Sequence, residues 1–453
     1  METATIKKLF KKIQDKNLRL AIIGSGYVGL PTAALFARAG FTVTTTDINS
    51  FIIKSINSGT SPFNEPGLQE LVSRNVQSGK LRAVLNCDLK FEEEDAAIIS
   101  IQTPIDENKK PNLSFLLHAI ENVGKNLRKQ MLIVICSTLP PRTMQEVIRP
   151  KLESLSALKA DKDFYLAYVP ERIAPGKALR EFVESPRLIG GIGPNSTEIA
   201  AELFGTVCHK TIKTDATTAE IAKTAENTFR DVNIALANQL ALICEQHGAD
   251  VTKVIELANT HPRVNIHTPG PGVGGPCLTK DPYLLTRGTK LPNKDVIAAA
   301  RETNDYMPRH VVKLIQNALE HECKSIKNSR IAILGTAYKA NVEDSRYSPA
   351  EPIIKKLKDL GAKIISYDPH CQSTFGAKRA TSLHEAAKSA DCLVVITDHV
   401  EFKNLDLADI KQLMRENPVI VDGKRIINSH EAEKSGLAYY GVGFGKSRNT
   451  TQI

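Results

Sequence analysis

The chain has no tryptophan, and only 5% of its 453 residues are aromatic. Nucleic-acid platforms stack bases on aromatic side chains, so that reading has little support despite a formal net charge of +9. A modest basic excess without a long Arg/Lys tract fits small anionic ligands of the nucleotide type better. No apolar run reaches the about 18 residues of a membrane-spanning helix. The eight cysteines are scattered, with no CxxC pair and no compact Cys/His cluster. Cys208 and His209 are adjacent but lack further ligands at metal spacing. This distribution argues against a zinc site and a disulfide framework, and for a reducing, cytoplasmic setting. Charges interrupt the first residues throughout, so no signal peptide is expected. Ile6, Leu9, Phe10 and Ile13 share one helical face. Residues 1–17 are expected to form an N-terminal helical extension packed on the first domain, a membrane-surface helix being the alternative.

With 42% hydrophobic and 24% charged residues, the composition is that of a globular protein. The length calls for two or three domains. Up to about residue 215, β-rich runs at 18–24, 41–47, 96–102, 131–137, 164–169 and 188–192 alternate with helical patterns. Alternation of this kind predicts βαβ units around a parallel sheet. From Ala216 to about Ala249 no proline or internal glycine interrupts one long helical pattern, and Gly248 suits its end. Further helical segments run to about residue 322.

The last third restarts the opening theme. Arg330-Ile-Ala-Ile-Leu-Gly335-Thr-Ala-Tyr-Lys339 echoes Arg19-Leu-Ala-Ile-Ile-Gly24-Ser-Gly-Tyr-Val28, and Asp391-Cys-Leu-Val-Val-Ile-Thr397 echoes Asp95-Ala-Ala-Ile-Ile-Ser-Ile101. Strands are also expected at 363–368 and 419–422. The expected fold class is α/β: two Rossmann-like doubly wound domains joined by an α-helical central domain with one long helix. The domain limits are 18–215, 216–322 and 323–453.

Two motifs carry chemistry. Gly24-Ser-Gly26-Tyr27-Val28-Gly29 follows an apolar strand and opens an Ala-rich helix. The first glycine permits the tight turn, the second lets a pyrophosphate approach the backbone, and the third allows close helix–strand packing. The helix N-terminus attracts the phosphates. Asp47 ends the next strand, where an acid binds both ribose hydroxyls and repels a 2′-phosphate, so NAD is expected over NADP. Thr103 and Thr138 stand at two later strand ends, on the carboxyl edge where open α/β sheets bind ligands.

The second motif runs from Gly270 to Asp281. It places Cys277 just past a glycine-rich turn, with Lys280 and Asp281 close behind. A thiolate beside a cation is a better nucleophile at neutral pH. A buried structural cysteine beside a flexible loop is the plain alternative. On the long helix Lys223, Asn227 and Arg230 share one face, a polar cationic stripe or simply a solvated one. His261 and Arg263 add donors shortly before the cysteine turn.

At these residues the sequence resembles the UDP-glucose/GDP-mannose dehydrogenases over nearly the whole chain after residue 17. The resemblance rests on Gly24 to Gly29, Pro170-Glu171-Arg172-Ile173-Ala-Pro-Gly-Lys177, Lys223 to Asp231, the Cys277 turn, and Gly335 to Arg346. Within the family it is similar to the UDP-N-acetyl-D-mannosamine dehydrogenase branch through Glu226 to Ala235, Leu257 to Ile266 and Pro269 to Gly275. One position departs: that branch has histidine before the cysteine, where this chain has Pro276. Thr279-Lys280-Asp281 looks more like the UDP-glucose branch.

The resemblance implies NAD-dependent, two-step oxidation of a UDP-sugar C6 alcohol to the uronate. Cys277 carries a thiohemiacetal and then a thioester, Lys223 and Asn227 attend the alcohol oxygen, and Glu171, Thr138 and Asp281 position or activate water. It implies Tyr27, Val28, Asp47, Thr103, Thr138 and Arg346 for the cofactor. For the nucleotide sugar it implies Arg172, Ile173, Lys223, Asn227, Arg230, His261, Arg263, Gly274, Tyr338, Lys339 and Arg425. UDP-N-acetyl-D-mannosamine is the expected substrate, with UDP-N-acetylglucosamine or UDP-glucose as alternatives. An NAD-binding sensor or scaffold is the non-enzymatic one. No metal, nucleic acid or membrane insertion is expected, and a homodimer through the central helices is.

Overall fold

Short aliphatic and β-branched runs become strands wherever neighbouring helices can cover both faces. A computed structural model describes residues 2–290 and 295–445. Its first sheet contains β1 Arg19–Ile23, β2 Thr42–Asp47, β3 Leu81–Leu85, β4 Ala96–Ile99, β5 Leu132–Ile135, β6 Tyr165–Tyr168, β7 Arg187–Gly191 and β8 Thr211–Asp215. The strand order is β3-β2-β1-β4-β5-β6-β7-β8. All neighbours pair in parallel except β6 and β7, which run antiparallel.

The second sheet contains β9 Arg330–Leu334, β10 Lys363–Tyr367, β11 Lys378–Arg379, β12 Cys392–Val395, β13 Val419–Asp422 and β14 Ala438–Gly441. Its order is β11-β10-β9-β12-β13-β14, parallel throughout. In both sheets the chain reverses its winding beside the first strand, between β1 and β4 and between β9 and β12. Such switch points open a crevice at the carboxyl ends of the strands. The central strands β4, β5, β6, β12 and β13 are buried at every position, which is why they read as continuous apolar runs.

Residue contacts divide the chain into two compact units, one of residues 1–226 with 283–289 and one of 227–282 with 290–453. The helix Ala216–His247 is continuous through the division. Gly248, at φ +71°, ends it in the left-handed conformation that a glycine tolerates. In the first unit, the helix Glu2–Gln14 lays Leu9 and Ile13 into the hydrophobic core beside Phe36 and Phe204. Lys12 also pairs with Asp95 at 2.7 Å. The second unit packs the later turns of the long helix, through Ala237, Ala241 and Cys244, with the helix Val296–His321 and the apolar faces of β9, β12 and β13. Among the described residues no helix is long and apolar enough to cross a membrane.

Candidate active site

The glycine turn after β1 has the geometry its sequence demands. Gly24 sits at φ +100°, and a Cβ there would lie 2.4 Å from the Ser100 carbonyl oxygen. A Cβ on Gly29 would lie 1.7 Å from the Gly24 oxygen, so strand and helix can meet only through glycine. A Cβ on Gly26 would touch nothing within 4 Å, which leaves its backbone open to a ligand. The helix Gly29–Arg38 starts here, with Val28 as its N-cap residue, and the positive end of its dipole favours phosphate. Tyr27 packs on Phe63 with ring centres 4.5 Å apart.

Asp47 accepts the Ser25 N–H at 3.1 Å and the Asn49 N–H at 2.9 Å, one on each oxygen. Each carboxylate oxygen keeps a lone pair for a ribose hydroxyl. Beside it Ile48 is 84% and Phe51 67% exposed, an apolar surface suited to a purine ring. Composition alone does not single out those two residues; their place directly after the Asp47 carboxylate is the signal. At the next strand ends, the Thr103 hydroxyl donates to the Thr138 carbonyl at 2.7 Å, and Ser137 Oγ accepts the Ile101 N–H at 2.9 Å. The turn, the carboxylate and the open helix end together fit a dinucleotide.

Also in the first unit, one oxygen of the Glu171 carboxylate is heavily engaged. Its Oε1 accepts the Arg172 N–H at 2.7 Å and the Ile173 N–H at 3.0 Å, and pairs with the buried Arg187 at 2.8 Å. Arg187 stacks on Phe182 at 4.2 Å and donates to the Pro170 carbonyl. The Arg172 guanidinium pairs with Glu226 and donates to the Pro186 carbonyl at 2.7 Å. Residues Pro170 to Ile173 are thus held as a rigid bracket. Arg187 and Glu226 escaped the sequence reading because a lone charge in a strand or helix looks solvated. Lys223 is buried one turn before Asn227 on the long helix.

In the second unit the cysteine turn is built around a tyrosine. Cys277 is exposed, and its carbonyl accepts the N–H groups of Lys280 at 3.1 Å and Asp281 at 2.9 Å. A Cβ on Gly275, at φ +87°, would come within 2.6 Å of the Tyr338 ring, and one on Gly274 within 2.7 Å of the Tyr347 carbonyl. The glycines therefore let Tyr338 lie against the turn. The Tyr338 phenol is pushed up to about 12, mostly by burial and then by the neighbouring Asp344 and Cys277. Arg346 and Arg230 act on the same phenol in the opposite sense. Arg346 is gripped by Asp344, with two contacts at 3.0 Å from its Nε.

Asn227 and Asp281 come together although 54 residues apart: the amide donates to Asp281 Oδ2 at 2.6 Å. Lys280 contacts Oδ1 of the same buried carboxylate at 2.7 Å. Other named residues of this unit are dispersed. His261 and Arg263 occupy an exposed turn, where His261 Nδ1 accepts the Arg263 N–H at 3.3 Å, and Lys339 is exposed. Arg425 is engaged internally: it pairs with Asp250 at 2.9 Å, donates to Tyr439 Oη at 3.1 Å and the Val442 carbonyl at 3.3 Å, and stacks on Phe444. Its guanidinium has a structural task in this arrangement.

Among the described residues one donor set could approach a cation: His370, His399 and Glu401, with ligand atoms within 4.8 Å. The His399 Nδ1 accepts the Asn341 N–H at 2.9 Å, which leaves the proton on Nε2, facing Asp368 at 3.1 Å. A neutral ring in that state has no lone pair to give a metal.

Residues 18–208 match the NAD binding domain of the UDP-glucose/GDP-mannose dehydrogenase family, 217–306 its central domain and 332–429 its UDP binding domain. The chain is 41% identical over 435 residues to a UDP-N-acetyl-D-mannosamine dehydrogenase of Methanocaldococcus jannaschii, covering 95% of this chain and 97% of that one. A solved UDP-D-ManNAc dehydrogenase from Pyrococcus horikoshii superimposes with a TM-score of 0.89 at 39% identity, covering 95% of this chain and all of that one (100%). An NDP-N-acetyl-D-galactosaminuronic acid dehydrogenase from Methanosarcina mazei gives 0.85 at 36% identity, with 99% of each chain covered. The dinucleotide turn of the first unit and the cysteine turn of the second thus lie in a chain that belongs to the UDP-glucose/GDP-mannose dehydrogenase family, and it is an NAD-dependent UDP-sugar dehydrogenase.

Proposed function

We infer that the protein oxidises the C6 alcohol of UDP-N-acetyl-D-mannosamine to the uronate in two steps, holding the intermediate aldehyde carbon on Cys277. The observation that carries this reading is the cysteine turn itself, an exposed thiol on a glycine loop, followed within one turn by a buried carboxylate bonded to Asn227. Bound NAD supplies a hydride acceptor, once for the alcohol and once for the thiohemiacetal. Lys223 receives the hydroxyl proton or donates to the developing oxyanion, and Asn227 donates alongside. The Cys277 thiolate adds to the aldehyde carbon, forming the C–S bond while the carbonyl oxygen takes a proton. Loss of hydride from that carbon and of the proton from its hydroxyl leaves a thioester. Water then adds, the C–S bond breaks, and the thiolate leaves as the carboxylate forms. Asp281, Glu171 and Thr138 serve as the groups that position water.

Gly24 to Gly29, Asp47, Thr103, Thr138 and Arg346 are assigned to NAD. Arg172, Ile173, Arg230, His261, Arg263, Gly274, Tyr338 and Lys339 are assigned to the nucleotide sugar, and Arg425 to structural support within its own unit. The names of the relatives at 41% and 39% identity support the mannosamine sugar. The galactosaminuronic name of the M. mazei protein and the departure at Pro276 keep a second N-acetylated sugar in view. Thiol chemistry of this kind belongs in a reducing compartment such as the cytoplasm.

Two experiments test the reading. NADH formation is followed with UDP-N-acetyl-mannosamine, -glucosamine and -galactosamine and with UDP-glucose; a higher kcat/KM for any but the first refutes the substrate. Cys277→Ser should stall before uronate, and near-normal acid production by that variant removes the thioester. Phe229, Leu236 and Ile243 form an exposed apolar stripe at heptad spacing on the long helix, 60%, 48% and 50% exposed. A second copy of the chain is the proposed cover, giving a homodimer through the central helices.

A further inference from the structure

We propose that Glu220, a residue outside the machinery described so far, is a positioning residue that locks the loop of Thr138 to the helix of Lys223. Glu220 is fully buried in the first unit, one turn before Lys223. Its Oε2 accepts the Arg142 N–H at 2.6 Å and its Oε1 accepts the Met144 N–H at 2.7 Å. Those two amides start the helical segment Met144–Ser156, which has no side-chain cap of its own. Arg142 stands at φ +68°, an uncommon conformation for a residue with a side chain, so an outside anchor must hold it. A carboxylate at a helix N-terminus supplies both charge and acceptors.

The clamp connects to the cofactor edge at both ends. The loop 137–143 leaves β5 through Ser137 and Thr138, whose groups bond Ile101 and Thr103 in the neighbouring strand-end loop. The first turn of the long helix is itself seated on β7, where a Cβ on Gly190 would be 2.8 Å from Ala219. Glu220 is the one carboxylate among the described residues that bonds both elements. Leu139, Met144, Ala216 and Ala219 pack the two elements into one core, and the two Glu220 oxygens fix the relation of Thr138 to Lys223 within it.

Burial pushes this carboxyl up to about 7, against the pull of the Met144 and Arg142 amides. The charged groups facing it are Asp215 and Glu146, both raising it further; the Arg142 side chain is turned to Glu146 at 2.7 Å. A protonated Glu220 carries an O–H and gives up one acceptor role, so one amide is released as pH falls through neutrality. The inference rests on the NAD reading of this edge, and the test separates the two.

The experiment is NAD titration of the full chain between pH 6 and 8.5, for wild type, Glu220→Gln and Asp47→Ala. Wild type should bind NAD roughly three- to tenfold more weakly at the acid end, with an inflection near 7. Glu220→Gln should be weak and flat across the range, and its KM for NAD should rise more than its KM for the UDP-sugar. A flat wild-type profile, or an inflection that survives in Glu220→Gln, overturns the proposal. If Asp47→Ala binds NAD normally, the cofactor reading has failed instead. Should Glu220→Gln not fold, amide exchange of wild-type peptides covering 137–148 decides: protection must drop as pH is lowered through 7, and constant protection refutes the clamp.

Discussion

Asn227→Ala removes the amide that holds a fully buried carboxylate. Asp281 Oδ2 takes its hydrogen bond from Asn227 at 2.6 Å, and the described donor to the other oxygen is Lys280 at 2.7 Å. A hydrogen bond to a charged group contributes about 1.5–3 kcal/mol, and its loss leaves the acceptor desolvated. For a unit of this size each kcal/mol moves the melting point by about 2–4 °C, so a drop of roughly 3–12 °C is expected. The same loss should lower kcat, because the Asp281 N–H also anchors the Cys277 carbonyl at 2.9 Å. The decisive assay is a double-mutant cycle of Asn227→Ala with Asp281→Ala, read by thermal unfolding and by kcat. Coupling of about 1.5 kcal/mol or more is expected. Additivity within about 0.5 kcal/mol would refute the claim that the two groups act as a pair.

Asp47→Ala should weaken NAD by roughly tenfold or more, since the proposed assignment gives Asp47 two charge-assisted ribose contacts; an unchanged titration would relocate the ribose. In the second unit, His399 and the amides of Thr336 and Ala337 hold the Asp368 carboxyl well below the usual carboxylate range. Its stabilising effect is full above the unfolded pKa of about 4 and is lost as pH falls below that value. Urea midpoints between pH 3 and 6 should therefore fall more steeply in wild type than in Asp368→Asn, and equal slopes would contradict the assignment. Leu236→Glu should shift sedimentation from dimer to monomer while leaving the melting point of the chain within a few degrees; an unaltered sedimentation coefficient would reject the helical dimer face.

Legibility in the sequence followed physical locality. The strands read correctly were the central ones, because burial on both faces writes a continuous apolar run. β8 was not read, since its Thr211-Ile-Lys-Thr-Asp215 lies at a sheet edge with mostly exposed or half-exposed side chains, and β11 is two charged residues long. β3 and β14 are likewise edge strands with mixed patterns. The long helix, its glycine stop and the glycine fingerprint were all readable because each is decided within a few residues. The pair Asn227–Asp281 was named as two separate candidates, and nothing in the spacing told that they touch.

By itself the sequence determined the class of protein: strand–glycine–helix–acid twice over, a long uninterrupted helix, and a cysteine set in glycines. Those follow from backbone sterics and hydrophobic period, which act between near neighbours. Only tertiary structure decided which charges are partners. It joined Arg425 to Asp250, Glu171 to Arg187 and Glu220 to the amides of Arg142 and Met144. An ionisable side chain looks the same in sequence whether water or a buried partner solvates it, and folding alone makes that choice.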